Sequence, residues 1–517
     1  MSIKRIALIV ITIISLIPVF LSLITSINQP QVQSNLQLYQ TNLVLQASEF
    51  SWENLNQFEG SRNILLGKDS YQLALNQYQE ARKTAQETLV KLEDQSQKIE
   101  SQLSIIEENR LKNESPQLIP LFPENTKLKQ EIKEQQKTLN ELDIKSAILE
   151  AHQGNNSAAL ETWKNIQNQS FQKNTANILA QLWKSQPESL PDSETILKTQ
   201  LNGWFRYESL KKLYQVKTRK ADLLALEKQQ QTIALQALIK LSLVAFIPII
   251  GGTIGFGLLI FFIVQLALKK EEATLSINQT LAWKTSWNWE IIWQVLVVGF
   301  FFMGQIILPI LFSLLNIDAT QFNLREKAIY VLVSYFALAV SGIGVLYLSI
   351  KKFFPLPKDW FQFNWLSNWI VWGIGGYLVA LPLVVIVSLI NQKIWNGQGG
   401  SNPLLSLALE SQDWTVLAIF YVTAAIAAPL YEEIMFRGFL LPSLTRYISV
   451  WGAIGASSLL FAVAHLNLSE VLPLAVLGMV LGVVYTRSRN LLASMLLHSL
   501  WNSGTLISLF LLGSGNN

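Results

Sequence analysis

Apolar and polar residues are sorted into long blocks along this chain. Residues 6–27 form one continuous apolar run behind Lys4 and Arg5. The run is longer than the core of a cleavable signal and has no small-x-small cleavage site before Asn28, so residues 1–27 read as an uncleaved signal anchor. Residues 28–235 are rich in Gln, Glu, Lys and Asn and contain no run able to cross a bilayer, which marks a soluble insert. From Ser242 the chain is apolar again, with candidate spans at 242–268, 291–315, 328–350, 369–390, 414–441, 450–466, 471–486 and 491–512. The pattern predicts an all-α protein: a polytopic bundle of about eight C-terminal spans plus the N-terminal anchor. It divides into the anchor, the insert, spans at 236–368 and a C-terminal domain at 369–517.

Within the insert, Tyr78, Ala85, Leu92, Ile99 and Ile106 recur at strict sevens, with Leu75, Leu89 and Leu103 as a companion seam interrupted by Arg82 and Ser96. A 3.5-residue period predicts a coiled coil or long helical hairpin. Pro116, Pro120 and Pro123 break it, and Leu128, Ile132, Leu139, Leu142 and Leu149 form the stripe of a returning arm. Further helices are expected at 157–169, 172–186 and 205–235, the last running into the second span. No catalytic constellation is visible here, and a polar hairpin of this kind suits a protein partner or oligomerisation. His152, beside Gly154 and Asn155, reads as a solvated turn residue.

Short-loop cations set the expected orientation, because Lys and Arg stay on the cytoplasmic side. Lys4 and Arg5, Lys269 and Lys270, Lys351, Lys352 and Lys358, then Arg446, Arg487 and Arg489 keep one parity, whereas Arg325, Lys327 and Lys393 fall opposite. The bias predicts a cytoplasmic N-terminus and an extracytoplasmic insert, in a plasma or internal membrane. Trp283, Trp287, Trp289 and Trp293, and Trp360, Trp365, Trp369 and Trp372, are clustered as interfacial belts would be.

Composition narrows the chemistry. Half of the 517 residues are hydrophobic and 15% are charged, against about 25% charged in soluble chains, which rules out a purely soluble protein. The absence of cysteine excludes disulfides, thiol nucleophiles, Cys-ligated zinc and iron–sulfur clusters. A net charge of +4, with no basic run interleaved with aromatics, gives no sign of nucleic-acid binding. Imidazole chemistry must come from three histidines, His152, His465 or His498.

The candidate spans before residue 414 carry no Asp, Glu, Lys or Arg, as expected where each such group costs roughly 2.5–3.5 kcal/mol at the bilayer centre. The sixth breaks that rule with Pro429-Leu-Tyr-Glu432-Glu433-Ile-Met-Phe-Arg437-Gly438. Glu433 and Arg437, four apart, share a helix face suited to a salt bridge, while Glu432 points about 100° away and is free for another partner. The plainer alternative is that residues 430–437 lie at the inner interface and snorkel. His465 ends the run Phe461-Ala-Val-Ala-His465, and His498 and Asn502 share a face of the last span. Polar groups in a bilayer must find one another, so Glu432, His465, His498 and Asn502 are expected to converge. Such a set can bind zinc and activate water; alternatively, a carboxylate and one imidazole activate water directly while the other imidazole and the amide stabilise an oxyanion.

In this order, Glu432-Glu433-x-x-x-Arg437, Phe461-x-x-x-His465 and His498-x-x-x-Asn502 resemble the three motifs of the CPBP family of intramembrane proteases. That family includes the Rce1-type CAAX endopeptidases, bacteriocin-processing and self-immunity proteins, and proteins labelled abortive infection. The resemblance covers about residues 370–512 and leaves the insert untouched. It implies hydrolysis of a peptide bond in a membrane-associated, CAAX-like or leader-bearing peptide substrate. Glu432 and His465 would activate water, His498 and Asn502 would serve the oxyanion, and Glu433, Arg437 and Phe461 would support them. Glu432, His465 and His498 would hold zinc if a metal is used. The family name says metalloprotease, but the same residues also suit a metal-free glutamate mechanism.

Other intramembrane protease classes lack their motifs here: there is no His-Glu-x-x-His, no Gly-x-Ser-Gly and no Gly-Asp pair. The competing reading is a non-proteolytic membrane scaffold or chaperone, whose polar cluster pins helices while the insert recruits a partner. A transporter is a weaker third reading, since no inverted repeat is evident. One inconsistency remains within the sequence itself. At 1.5 Å per residue Glu432 lies about 27 Å beyond Trp414 and His465 about 20 Å beyond Trp451, on opposite sides of the bilayer. Bending at Pro429, or a deeper start to 450–466, would bring them level.

Overall fold

The computed structural model describes all residues except 1, 28, 30, 52–58, 113–120, 168–171, 185–191, 396, 412 and 515–517. Among the described residues the architecture is helical, with no β-strand. Residues up to Leu36 and Leu243–Gly513 form one compact unit, and Gln37–Ser242 with Ser514 form another.

The chain opens with α1 (Ile3–Ser26), capped by the Ser2 side chain on the Arg5 amide. The insert then contributes α2 (Val32–Ser48), α3 (Glu59–Leu66), α4 (Ser70–Lys112), α5 (Leu121–His152), α6 (Asn156–Gln167), α7 (Lys173–Leu182), α8 (Ser193–Gln200) and α9 (Gly203–Val216). The long arms α4 and α5 pack antiparallel, since Arg82 meets Asp143, Gln135 reaches the Ala85 carbonyl at 3.0 Å, and Lys129 meets Glu100 at 2.9 Å. Leu75, Tyr78, Ala85 and Leu89 are buried against Leu139, Leu142 and Leu149, so the seven-residue pattern is the seam of a hairpin. Leu103 and Ile106 have side chains outside the described residues, as do Pro116 and Pro120 altogether, and α5 is already helical at Pro123.

The base of the insert departs from the sequence pattern in two places. The expected helix 205–235 is interrupted at Thr218, which adopts a positive φ of 53° between α9 and α10 (Lys220–Lys269). His152 is the last residue of α5 rather than a solvated turn. Its Nδ1 lies 3.0 Å from Glu208 Oε1, and its ring leans on Tyr71 at 4.4 Å and Trp204 at 5.1 Å. Glu49 completes this cluster by accepting hydrogen bonds from Tyr71 and from Trp204 Nε1. The aromatic rings around the imidazole were far away in sequence, so local Gly and Asn content was a poor guide to its burial.

The membrane unit continues from α10 through α11 (Trp289–Leu314), α12 (Leu324–Ile350), α13 (Trp369–Trp395), the short α14 (Pro403–Glu410), α15 (Trp414–Leu444), α16 (Val450–Val463), α17 (Leu468–Ser488) and α18 (Leu491–Gly513). Among the described residues eight helices are long and apolar enough to cross a membrane, and α16 is not one of them. The span expected at 450–466 is thus a helix of 14 residues, about 21 Å long at 1.5 Å per residue, and too short for an ordinary crossing. Exposed Ile247, Ile250, Phe256, Ile260 and Phe261 on α10 are the surface that hydrocarbon rather than water would cover.

Within this unit α15 is central. It packs on α12 on one side and on α18 on another, while α17 packs against α13, α16 and α18. Asn323 and Glu326 form a reciprocal capping box that starts α12 at a defined residue. The tryptophan belts are only partly interfacial. Trp289, Trp293 and Trp365 are exposed, but Trp283, Trp287 and Trp360 are core residues. Trp287 Nε1 donates to Ser443 Oγ at 2.9 Å and its ring lies 4.4 Å from that of Trp360. Each of these three buried indoles has a polar partner for its N–H, which is what lets tryptophan enter a core.

Candidate active site

The site is built on α15, whose local geometry follows from Pro429. At Val422–Ala427 the helix widens to five-residue hydrogen bonds, the Ala428 amide reaching back to the Thr423 carbonyl. The next donor in that register would be Pro429, which has no N–H. The Ala424 carbonyl thereby lacks its backbone donor, and both it and the neighbouring Ala425 carbonyl accept from side chains of α18. Asn502 Nδ2 donates to Ala424 O at 2.7 Å and Ser499 Oγ to Ala425 O at 2.5 Å. Leaving either carbonyl buried and bare would cost about 1–3 kcal/mol, so α18 is fixed to α15 one turn from His498.

A second widened stretch, Ile434–Leu440, follows the two glutamates. Glu433 and Arg437 are both fully buried, with Arg437 Nη1 2.8 Å from Glu433 Oε1. They do not snorkel. Arg437 also donates from Nη2 to the Gly478 carbonyl at 3.1 Å and lies over the Phe461 ring at 4.4 Å. Gly478 permits that approach, since a Cβ there would sit 3.2 Å from Arg437 Nη2 and 2.9 Å from the Ser458 Cβ. Isolated ions in such surroundings are strongly disfavoured, whereas a pair with added hydrogen bonds is tolerated.

Glu433 has a second partner. Nδ1 of His498 lies 3.0 Å from Glu433 Oε1. A carboxylate only accepts, so the Nδ1 proton belongs to the imidazole and its Nε2 edge is turned the other way. That edge faces Glu432, at 3.9 Å from Oε2. The gap is beyond hydrogen-bond reach. Glu432 Oε1 accepts from the Tyr335 hydroxyl at 2.8 Å, while Oε2 is buried and has no hydrogen-bond partner.

His465 occupies the turn immediately after α16. Its Nδ1 lies 2.9 Å from the Phe461 carbonyl, which fixes the proton on Nδ1 and leaves Nε2 as a proton acceptor. The Asn467 side chain donates to the His465 carbonyl at 2.9 Å. Phe461 connects the two imidazoles: its ring centroid is 4.9 Å from that of His465 and 5.6 Å from that of His498.

The four residues expected to converge are therefore placed unequally. Glu432 and His498 face each other, His465 joins them by way of Phe461 without a hydrogen bond or ion pair to Glu432, and Asn502 is turned to a helix carbonyl. Tyr335 was not visible as a site residue in the sequence, because it lies 97 positions before Glu432 in an ordinary apolar span. Among the described residues no three His, Asp or Glu side chains stand together as a metal site. As placed, Glu432, His465 and His498 are not gathered into such a site.

This geometry lies on a stretch with recognisable relatives. Residues 414–504 match the family model for type II CAAX prenyl endopeptidase Rce1-like proteins. The chain carries a C-terminal Rce1-like domain. The match begins at the first residue of α15 and runs into α18, so the Rce1-like domain includes Glu432, Glu433, Arg437, Phe461, His465, His498 and Asn502 but not Tyr335. The chain is also similar to the membrane-embedded CAAX protease MroQ of Staphylococcus aureus (strain USA300). That likeness is 24% identity over 230 residues, covering 42% of this chain and 89% of the relative. No solved structure matches significantly. Together with the eight apolar helices, the Rce1-like domain makes this a multi-pass membrane protease.

Proposed function

We propose that the Rce1-like domain hydrolyses a peptide bond of a membrane-associated substrate at Glu432, without a covalent intermediate. The observation that carries this reading is the Glu432 carboxylate itself: one oxygen is held by Tyr335 and the other is buried, unpartnered and turned toward His498. A buried carboxylate oxygen with no donor is a proton acceptor in a place where water is scarce.

In the proposed reaction Glu432 Oε2 takes a proton from a water molecule as its oxygen attacks the scissile carbonyl carbon. The carbonyl π bond opens and its electrons collect on oxygen. His498, held through Nδ1–H by Glu433, donates from Nε2 to that oxyanion in its doubly protonated form, and the second N–H of Asn502 is a further donor on α18. Collapse of the intermediate breaks the C–N bond, and the proton on Glu432 passes to the departing amine. His465, with Nε2 free to accept, assists the first proton transfer once substrate and water bridge the distance to Glu432. Arg437 neutralises Glu433 and so keeps a second negative charge from competing with Glu432.

The substrate class we favour is a peptide that reaches the site from the membrane surface, of CAAX-like or leader-bearing type. The helical insert is proposed to lie outside the cytoplasm and to bind a protein partner, its hairpin forming a coiled-coil-like surface. Substrate trapping tests the activity: Glu432→Gln protein should retain peptides that the wild type releases cleaved. If no peptide is enriched and the wild type cleaves nothing from its own membranes, the proteolytic reading fails.

A further inference from the structure

We propose that Tyr335 is a positioning residue for the proteolytic site, and that α12, which lies outside the Rce1-like match, is therefore part of the catalytic unit. The inference rests on Glu432 acting as the water-activating base.

Glu432 has two carboxylate oxygens in a buried setting and only one hydrogen-bond donor to share between them. Tyr335 takes Oε1 at 2.8 Å, which leaves Oε2 as the reactive one. Without the phenol, both oxygens would be bare, and nothing on α15 would distinguish them or prevent the side chain from rotating about its last bond. The hydroxyl thus selects which oxygen faces His498. A geometric role of this kind is worth more in an active site than one neutral hydrogen bond, because small displacements of a reacting group slow catalysis steeply.

Tyr335 is itself held in place. Its ring meets Tyr431 edge-on at 6.1 Å, and Tyr431 stacks on Phe300 at 5.9 Å with its hydroxyl directed to the Gly299 carbonyl at 3.4 Å. Gly342, two turns beyond Tyr335 on α12, makes room for this arrangement, since a Cβ there would collide with the Tyr431 hydroxyl. The Asn323–Glu326 capping box fixes where α12 starts. Tyr335 is consequently presented by a rigid helix and braced by two aromatic residues, which is more than a hydroxyl filling a spare acceptor requires.

The test uses the full-length protein in lipid. Infrared difference spectra between wild type and Glu432→Gln isolate the Glu432 carboxylate stretch. In Tyr335→Phe that band should shift and broaden, while the melting temperature stays close to wild type. Turnover is read with two internally quenched peptides ending in a CAAX sequence, one farnesylated and one not. Tyr335→Phe should lower kcat about tenfold to a hundredfold with KM within twofold. Tyr335→3-fluorotyrosine keeps ring and hydroxyl while strengthening the donor, so it should move the band in the opposite direction and retain kcat. This variant decides the matter if Tyr335→Phe does not fold. An unshifted band, or a shifted band with unchanged kcat, overturns the positioning role. If wild type cleaves neither peptide, the activity proposed above fails on these substrates, and the infrared arm still decides whether Tyr335 orients Glu432.

Discussion

Nδ1 of His498 sits 3.0 Å from Oε1 of Glu433, the oxygen that also receives Nη1 of Arg437 at 2.8 Å. One carboxylate thus neutralises a buried guanidinium and orients an imidazole. Its neighbour Glu432 takes no part in that pairing and is held from another helix. Adjacent glutamates are given different work by the helix, which turns them about 100° apart.

Removal of either glutamate should therefore have a different signature. Glu433→Ala leaves Arg437 without a counter-charge and should cost about 3–5 kcal/mol of stability, seen as a large fall in melting temperature. Glu432→Gln, close in shape, should melt near wild type and lack activity. Equal loss of stability in both variants would contradict the division of roles.

Pro429 and Asn502 should be coupled. Asn502→Ala strips the Ala424 carbonyl of its donor, at about 1–3 kcal/mol. Pro429→Ala restores a backbone N–H within reach of that carbonyl, so the same Asn502→Ala change should cost clearly less in that background. A double-mutant cycle of thermal stability measures the difference, and identical costs in both backgrounds would dismiss the link.

Glu194 gives the insert a defined acid limb. Hydrogen bonds from Lys198, Arg219 and Tyr214 hold its carboxyl down at about 2, against an ordinary value of 4.5. A lowered folded-state value stabilises above the unfolded value, and the contribution is lost as pH falls from about 4.5 toward about 2. Unfolding of the insert followed by circular dichroism across this window should be less pH-dependent in Glu194→Gln. An unchanged slope would mean that the network contributes nothing.

Metal content provides another check. With no three-residue donor cluster among the described residues, the glutamate route predicts activity that survives strong chelators and purified protein without stoichiometric zinc. Activity lost on chelation and restored by zinc would show that Glu432, His465 and His498 close around an ion.

Much of this site could be read from spacing. The four-residue interval between Glu433 and Arg437 predicts a shared face, and the pair is there. The rarity of charge in apolar spans also pointed to α15. Tyr335 escaped because a hydrogen bond between distant helices leaves no periodic trace. The His498-x-x-x-Asn502 interval and the family resemblance point to Asn502, but its hydrogen bond to Ala424 depends on a widened turn that periodicity at 3.6 residues does not register. Clustering predicts an interface for Trp287 and Trp360, which are buried instead, because position along the chain says nothing of what packs above a ring. The mismatch in depth between Glu432 and His465 holds only if 450–466 is a full crossing, and the helix there has 14 residues. Helix α16 ends at Val463, and His465 lies in the turn that follows, leaning on Phe461.

The central claim is that water, activated at Glu432, cleaves a peptide bond. The most direct measurement is mass spectrometry of a peptide captured by Glu432→Gln protein and then offered to wild type in ¹⁸O-water. The account predicts one heavy oxygen in the new C-terminal carboxylate with wild type and no product with Glu432→Gln or His465→Ala. Product formation by Glu432→Gln at the wild-type rate would contradict it.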